Sequence, residues 1–498
     1  MVITNASEKT VNRKRRAGVL LHPTSLPGDL PHGDIGHQAY RFIEFLNTNG
    51  FKVWQMLPLG PTHDDKSPYQ CLSSHAGNPH LISLDWLVDK NWLKKKDITT
   101  SSSSDIYRTL CLQQAGDNFY KLIDDKWLSS LNDFVAKHEF WLDDYALFIA
   151  FKIKYNSAPW YEWPVEIRHR DTNALEKARC ELTKELNQIR FEQFVFFTQW
   201  HEVRVYAKNH GVELFGDIPI FVARDSADVW ANRENFLMDM DGGMTCVSGV
   251  PPDAFSDTGQ RWGNPLYDWE YMKITRFSWW KQQFETQLEL FDIVRIDHFR
   301  GLQACWQIPA AEETAINGHW VEVPGKEMLT ELFKSLPSLS LVAEDLGVIT
   351  DDVITLKKSF NLPGMKVLQF AFDGNNRNPH LPHHHEFDDV VYTGTHDNDT
   401  TLGWASNEAN YNRDYLKDYT GIEFETNEHY VWALIQMAMA SVSFLCILPL
   451  QDILMLDSSA RMNSPGTVGG NWDWRFDWQQ LNPEIIEKVN KFIMVYER

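Results

Sequence analysis

The chain of 498 residues is short of the features that mark several large protein classes. Its six cysteines (Cys71, Cys111, Cys180, Cys246, Cys305 and Cys446) include no Cys-x-x-Cys pair. That scatter speaks against a disulfide framework and a thiolate zinc site, and it fits a reducing compartment. Long apolar runs are missing as well. After the basic residues 13–16, the stretch Val19 to Leu21 meets His22-Pro23 at once, too soon for a signal peptide or a membrane helix. Positive charge is in deficit: 47 Lys+Arg against 68 Asp+Glu leave a net charge of −21. Such a surface repels a phosphate backbone or an anionic membrane, so neither nucleic acid nor membrane is an expected partner. Glycine-rich residues 466–471 carry no lysine, and Gly325-Lys326 runs into Glu327, so no phosphate cradle is expected. Adjacent His383, His384 and His385 cannot all face one ion, and no metal or other cofactor is expected. No solenoid period or heptad seam is present, and the biased tract at 99–104 reads as a Ser/Thr loop. What remains is a globular protein with a cytoplasmic location as the expectation.

What is there is enough apolar material, 43% of residues, to bury a large core. At roughly 150 residues per domain the length allows three domains, but barrels run well past 200 as one unit. Short β-branched and apolar runs ending in polar residues are the mark of parallel strands buried on both faces. Eight occur, at 18–22, 53–57, 212–218, 293–298, 339–344, 366–370, 389–393 and 443–448. Several precede helical patterns: Ala39, Tyr40, Ile43 and Leu46 share a face before a capping Gly50, and Thr350 is an N-cap candidate ahead of Asp351 and Asp352. Eight β/α units predict a (β/α)8 TIM barrel, although an open doubly wound sheet shares the local pattern. Long intervals after strands two and three predict mainly helical insertions: a helical subdomain over roughly 61–205, patterned at 128–152 and 175–208, and a lid-bearing segment over roughly 225–288. The 1–498 chain then reads as one catalytic domain. Both insertions would overhang the mouth where barrel enzymes carry their chemistry.

Polar residues at the strand ends are His22, Gln55, Asp217, Asp297, Glu344, Gln369, Asp397, Gln451 and Asp452. Carboxylates inside apolar runs are costly unless partnered. Asp297 and Glu344 therefore need a reason, and a structural ion pair with Arg295 is one. Three carboxylates on three strand ends of one barrel face favour a functional reason. Glycosidic bond chemistry requires two carboxyls across a sugar ring, one protonated and one ionised. Arg295, two residues before Asp297 on a strand, shares its face and would keep it ionised, whereas Glu344 in apolar surroundings could keep its proton. Aromatic side chains make up 13% of the chain and suit stacking on sugars. Trp262, in a Pro- and Gly-rich loop, is the tryptophan most exposed to that role.

The segments Arg295-Ile296-Asp297-His298-Phe299-Arg300-Gly301, Ala343-Glu344-Asp345-Leu346-Gly347 and Gly394-Thr395-His396-Asp397-Asn398-Asp399-Thr400 resemble the catalytic segments of 4-α-glucanotransferases, the amylomaltase or disproportionating-enzyme family. So do Ser67-Pro68-Tyr69-Gln70, Gly216-Asp217-Ile218-Pro219, the loop from Pro251 through Phe255 and Trp262, and Arg461-Met462-Asn463 leading to Asn471-Trp472. The resemblance implies a retaining double displacement with Asp297 as nucleophile, Glu344 as acid/base and Asp397 as transition-state stabiliser. It implies substrate-site roles for Arg295, Asp217, His298, His396 and Asn463. It places Tyr69 and Ser67 near the donor sugar or a secondary glucan site, and Phe255 and Trp262 in an aromatic lid over the acceptor. The partners implied are α-1,4-glucans and maltooligosaccharides, with glucose or maltodextrin as acceptor. About fifty residues follow the eighth strand, so no C-terminal β-sandwich is expected. One departure is Cys305, where the family often has an aromatic residue that would pack against sugar. A plain α-glucan hydrolase with the same carboxylates is the nearest rival reading, and a glucan-binding protein on an inactive barrel a more distant one.

Overall fold

The computed structural model describes residues 13–98, 105–252, 256–407, 411–467 and 469–498. The Ser/Thr tract at 99–104 and Phe255 lie outside the described residues. The described residues form twelve strands: β1 (Arg16–Leu20), β2 (Val53–Gln55), β3 (Glu213–Pro219), β4 (Cys246–Val250), β5 (Gln260–Arg261), β6 (Ile293–Asp297), β7 (Ala304–Pro309), β8 (His319–Glu322), β9 (Leu341–Ala343), β10 (Gly364–Val367), β11 (Asp389–Tyr392) and β12 (Leu445–Pro449). Eight of them, in the order β10-β11-β12-β1-β2-β3-β6-β9, form a nearly closed parallel barrel. The ends of that order meet through Ala343 N–H, which donates to the Pro363 carbonyl at 2.8 Å, and Met365 N–H, which donates to Asp345 Oδ1 at 2.7 Å. Each of the eight apolar runs read from the sequence overlaps one barrel strand, the run at 366–370 least, since β10 ends at Val367 and Leu368–Phe370 turn into a 3-10 helix. β1, β11 and β12 are buried along their whole length, as strands with helices outside and side chains inside must be.

Local chemistry explains several boundaries. The first helix, His37–Thr48, buries Ala39, Phe42, Ile43 and Leu46 on one face. It is followed by Gly50 at φ 83°, a left-handed position that costs glycine little. Gly216 in β3 leaves room for the Phe291 ring, because a Cβ there would lie 2.1 Å from it. Thr350 sits at the N-cap of the helix Asp351–Ser359, but its side chain does not cap. Its Oγ1 instead accepts from Arg300 Nη1 at 3.4 Å.

Between β2 and β3 the described residues form seven α-helices, among them Asp105–Leu122, Asp125–Lys137, Glu139–Lys154 and the long Thr183–Asn209. The last buries Phe191, Phe194, Phe196, Phe197 and Trp200. The stretch between β3 and β6 adds structure that helical patterning does not suggest. There β4 and β5 join β7 and β8, which follow the fourth barrel strand, in an antiparallel sheet of order β5-β4-β7-β8. Two loops of the barrel mouth thus build one small sheet over it. After β12 the described residues form only helical elements, ending in Pro483–Val495.

Candidate active site

The strand register sets the first pair. Asp217 on β3 and Arg295 on β6 are direct partners in the parallel ladder, and Pro219 is opposite Asp297. Arg295 donates from Nε to Asp217 Oδ1 at 3.0 Å and from Nη2 to Oδ2 at 2.7 Å, a planar fork on a carboxylate. The same Nη2 also donates to Asp297 Oδ1 at 2.8 Å. One guanidinium therefore holds two carboxylates. Tyr69 completes the group: its hydroxyl donates to Asp217 Oδ2 at 2.7 Å and accepts from Arg295 at 3.3 Å. Asp217 and Arg295 are almost wholly buried, which makes each dependent on the other.

Glu344 directly follows β9 and has different partners. Its Oε2 accepts from the His298 N–H at 2.7 Å, and its Oε1 from the Leu346 N–H at 3.1 Å. His298 can present that N–H because its backbone is left-handed, at φ 53° and ψ 53°. For a non-glycine residue this is an uncommon conformation that the surroundings must enforce. Asp397 lies across the mouth. Its Oδ1 accepts from Asn463 Nδ2 at 2.6 Å, and its Oδ2 is 3.3 Å from His396 Nε2.

These partners separate the three carboxyls electrostatically. Burial pushes the Asp297 carboxyl up to about 6, against the pull of Arg295. Burial, then the charge of Asp297, pushes Glu344 up to about 8. Burial acts upward on Asp397 too, but His396 and Asn463 overcome it and hold this group below the ordinary carboxylate range. Arg295 stays charged despite burial, because Asp217 and Asp297 face it. His298 is held neutral, pushed to about 4 by burial and then by Arg300. At neutral pH the site thus offers two ionised carboxylates and one protonated carboxyl.

The residues singled out from sequence do not all come together. Asp217, Arg295, Asp297, His298, Glu344, His396, Asp397, Tyr69 and Asn463 form one connected group. Tyr69 is stacked on His396 at 5.2 Å between ring centres, and Trp262 meets the His298 ring edge-on at 4.8 Å. Ser67 instead shapes the turn before Tyr69, accepting from its N–H at 3.4 Å. Gln55, Gln369 and Asp452 at other strand ends are consumed internally, by Tyr392, by Thr401 and by Thr393 with Thr401. Cys305 is buried in the main core. The three adjacent histidines take three separate sets of partners: Tyr419 for His383, the Asn376 carbonyl for His384, and Ser441 with the His380 carbonyl for His385. No cluster of metal-ligating side chains occurs among the described residues.

Two members of the site were not marked out as such by sequence reasoning. Arg461 donates to the Asp397 carbonyl and to the Asn463 carbonyl, each at 2.7 Å, and so fixes both ends of that pair. Its position two residues before Asn463 was the available signal. Trp472 lies 6.0 Å from both Tyr69 and His396, at φ 66°. A tryptophan inside a glycine-rich tract was the signal there.

A family model described as 4-alpha-glucanotransferase matches residues 21–481. The chain belongs to the 4-α-glucanotransferase family. The 4-alpha-glucanotransferase of Synechocystis sp. is 47% identical over 498 residues, covering 97% of this chain and 98% of that one. The 4-alpha-glucanotransferase of Thermus thermophilus is 45% identical over 496 residues, covering 97% and 99%. Among solved structures, the amylomaltase from Streptococcus agalactiae in complex with acarbose matches with a TM-score of 0.92 at 35% identity, over 97% of this chain and all of that one. No helix among the described residues of this 4-α-glucanotransferase family member is long and apolar enough to cross a membrane.

Proposed function

We propose that the protein transfers α-1,4-glucan segments between maltooligosaccharides, with glucose or a maltodextrin as acceptor, by a retaining double displacement. The observation that carries the reading is the split between two neighbouring half-buried carboxyls, Asp297 against a guanidinium and Glu344 against backbone N–H groups. In the first step Asp297 attacks the anomeric carbon as the glycosidic bond breaks, and the Glu344 proton passes to the departing 4-oxygen. Oδ1 of Asp297 is held by Arg295, and among the described residues nothing donates to Oδ2, which is left for the attack. In the second step the Glu344 carboxylate takes the proton of the acceptor 4-hydroxyl. That oxygen then attacks the anomeric carbon and releases Asp297. Asp397, kept anionic by His396 and Asn463, stabilises the positive charge that develops on the sugar ring.

Transfer requires that a sugar compete with water. The roof over the mouth, built from roughly 61–205 and roughly 225–288 with Phe255 and Trp262 in an aromatic lid, serves to dry the cleft and stack the acceptor. Ser67 acts by setting the turn that carries Tyr69. Six free thiols suit a cytoplasmic location. The test is incubation with maltotriose alone, beside an Asp297→Asn control. Longer maltodextrins plus glucose, absent from the control, support the reading. Shortening without longer products means hydrolysis, and binding without turnover means an inactive barrel.

A further inference from the structure

Arg300 is a cation in an unusual place. It is nearly buried, burial lowers its pKa, and no carboxylate pairs with it among the described residues. An unpaired buried guanidinium is costly and calls for a compensating role. Its contacts lie on two different structures. Nη1 donates to the Val348 carbonyl at 2.7 Å, and its plane covers the Trp320 ring of β8 at 3.9 Å. Val348 belongs to the loop 344–350, which runs from Glu344 to the next helix. The near end of that loop is fastened to the turn after Asp297 twice, by His298 N–H on Glu344 Oε2 and by Phe299 N–H on the Glu344 carbonyl at 3.1 Å. Its middle is exposed at Gly347 and Val348. The Leu346 N–H within the same loop holds Glu344 Oε1. Arg300 is thus the tie at the far end of a segment whose shape fixes one hydrogen bond on Glu344.

We propose that Arg300 is a positioning residue for Glu344, a strut that fixes the 344–350 loop against the turn after Asp297 and is itself steadied by the antiparallel sheet through Trp320. The inference rests on the acid/base role proposed above for Glu344. It makes the small sheet more than a roof: the sheet that carries Trp262 next to His298 also braces the acid/base loop from its other side. A strut of this kind affects the proton-transfer steps and leaves attack by Asp297 alone.

The test uses two donor and acceptor pairs on the full chain. Maltotriose disproportionation needs a proton delivered and a proton removed. With α-maltosyl fluoride as donor and azide as acceptor, fluoride leaves as the anion when Asp297 attacks, and azide displaces Asp297 without losing a proton. Glu344 is then dispensable in both steps. For Arg300→Lys the expected loss of kcat/KM on maltotriose is about tenfold to hundredfold, the scale of an ångström of misplacement. On the fluoride and azide pair the expected change is within about threefold. Trp320→Ala should show the same asymmetry with a smaller loss, and Trp320→Phe, which keeps a ring beneath the guanidinium, should restore it. Equal losses on both pairs, or no loss on either, overturn the proposal. Should Arg300→Lys not fold, the Trp320 variants decide by the same criterion. Glu344→Gln separates the two levels of inference. If it keeps full maltotriose activity, the acid/base reading falls and this proposal with it; if it shows the asymmetry and the Arg300 and Trp320 variants do not, only the strut falls.

Discussion

Asp297 and Glu344 stand at the ends of adjacent strands, β6 and β9, and both are half-buried, yet they meet different neighbours. Asp297 shares the Arg295 guanidinium with Asp217, whereas Glu344 receives two backbone N–H groups and, among the described residues, no cation within bonding distance. Burial raises both; Arg295, bonded to Asp297, is the first force against that rise there, whereas at Glu344 the charge of Asp297 adds to the rise before the more distant Arg295 opposes it. They end at about 6 and about 8. The lesson is that one barrel mouth assigns opposite protonation to two carboxyls through the partner each is given.

Substitutions break or sharpen that comparison in a graded way. Asp297→Asn removes the ionised partner and is expected to lower maltotriose turnover on the order of 10⁴-fold or more, measured as glucose release with no longer products formed. Glu344→Gln removes the proton and is expected to cost about 10²- to 10⁴-fold on maltotriose. Arg295→Lys keeps the charge but loses the fork, so one cation no longer faces both Asp217 and Asp297. With less opposition to burial the Asp297 pKa rises, and the acidic flank of the pH-rate profile moves upward from about 6. Asn463→Ala strips one donor from Asp397, and a hydrogen bond to a charged group at about 1.5–3 kcal/mol predicts a loss of roughly tenfold to hundredfold in kcat. Trp262→Ala leaves all three carboxyls in place and opens the acceptor side; the expected change is a few-fold rise of hydrolysis relative to transfer, read from the product ladder.

The barrel strands were legible because parallel strands covered on both faces must be continuously apolar, as residues 445–449 are, and because the polar residue ending each run breaks that pattern. Asp217, Asp297 and Glu344 were legible for the same reason. The antiparallel sheet was not. β4 and β8 are short and partly exposed, β5 is two residues long, and their pairing joins segments from two separate mouth loops, which no local period encodes. Thr350 misled for a related reason: its N-cap chemistry was correct locally, but Arg300, fifty residues away in sequence, offers its side chain another partner. Gln55, Gln369 and Asp452 resembled site residues until their partners came into place, Tyr392 from a distant strand and Thr401 and Thr393 from the segment after a neighbouring one. The left-handed turn at His298 that lets a backbone N–H meet Glu344 leaves no mark on residue type at all.

The central claim is that Asp297 is ionised and Glu344 protonated at neutral pH. It is tested most directly by the pH dependence of kcat/KM, for the wild-type protein on maltotriose and for Glu344→Gln on α-maltosyl fluoride with azide. The wild-type profile should be a bell: the rate falls below about 6 as Asp297 gains its proton and falls above about 8 as Glu344 loses its own. In the variant the acidic flank should remain and the alkaline flank disappear. An alkaline flank that survives without the Glu344 carboxyl would contradict the assignment.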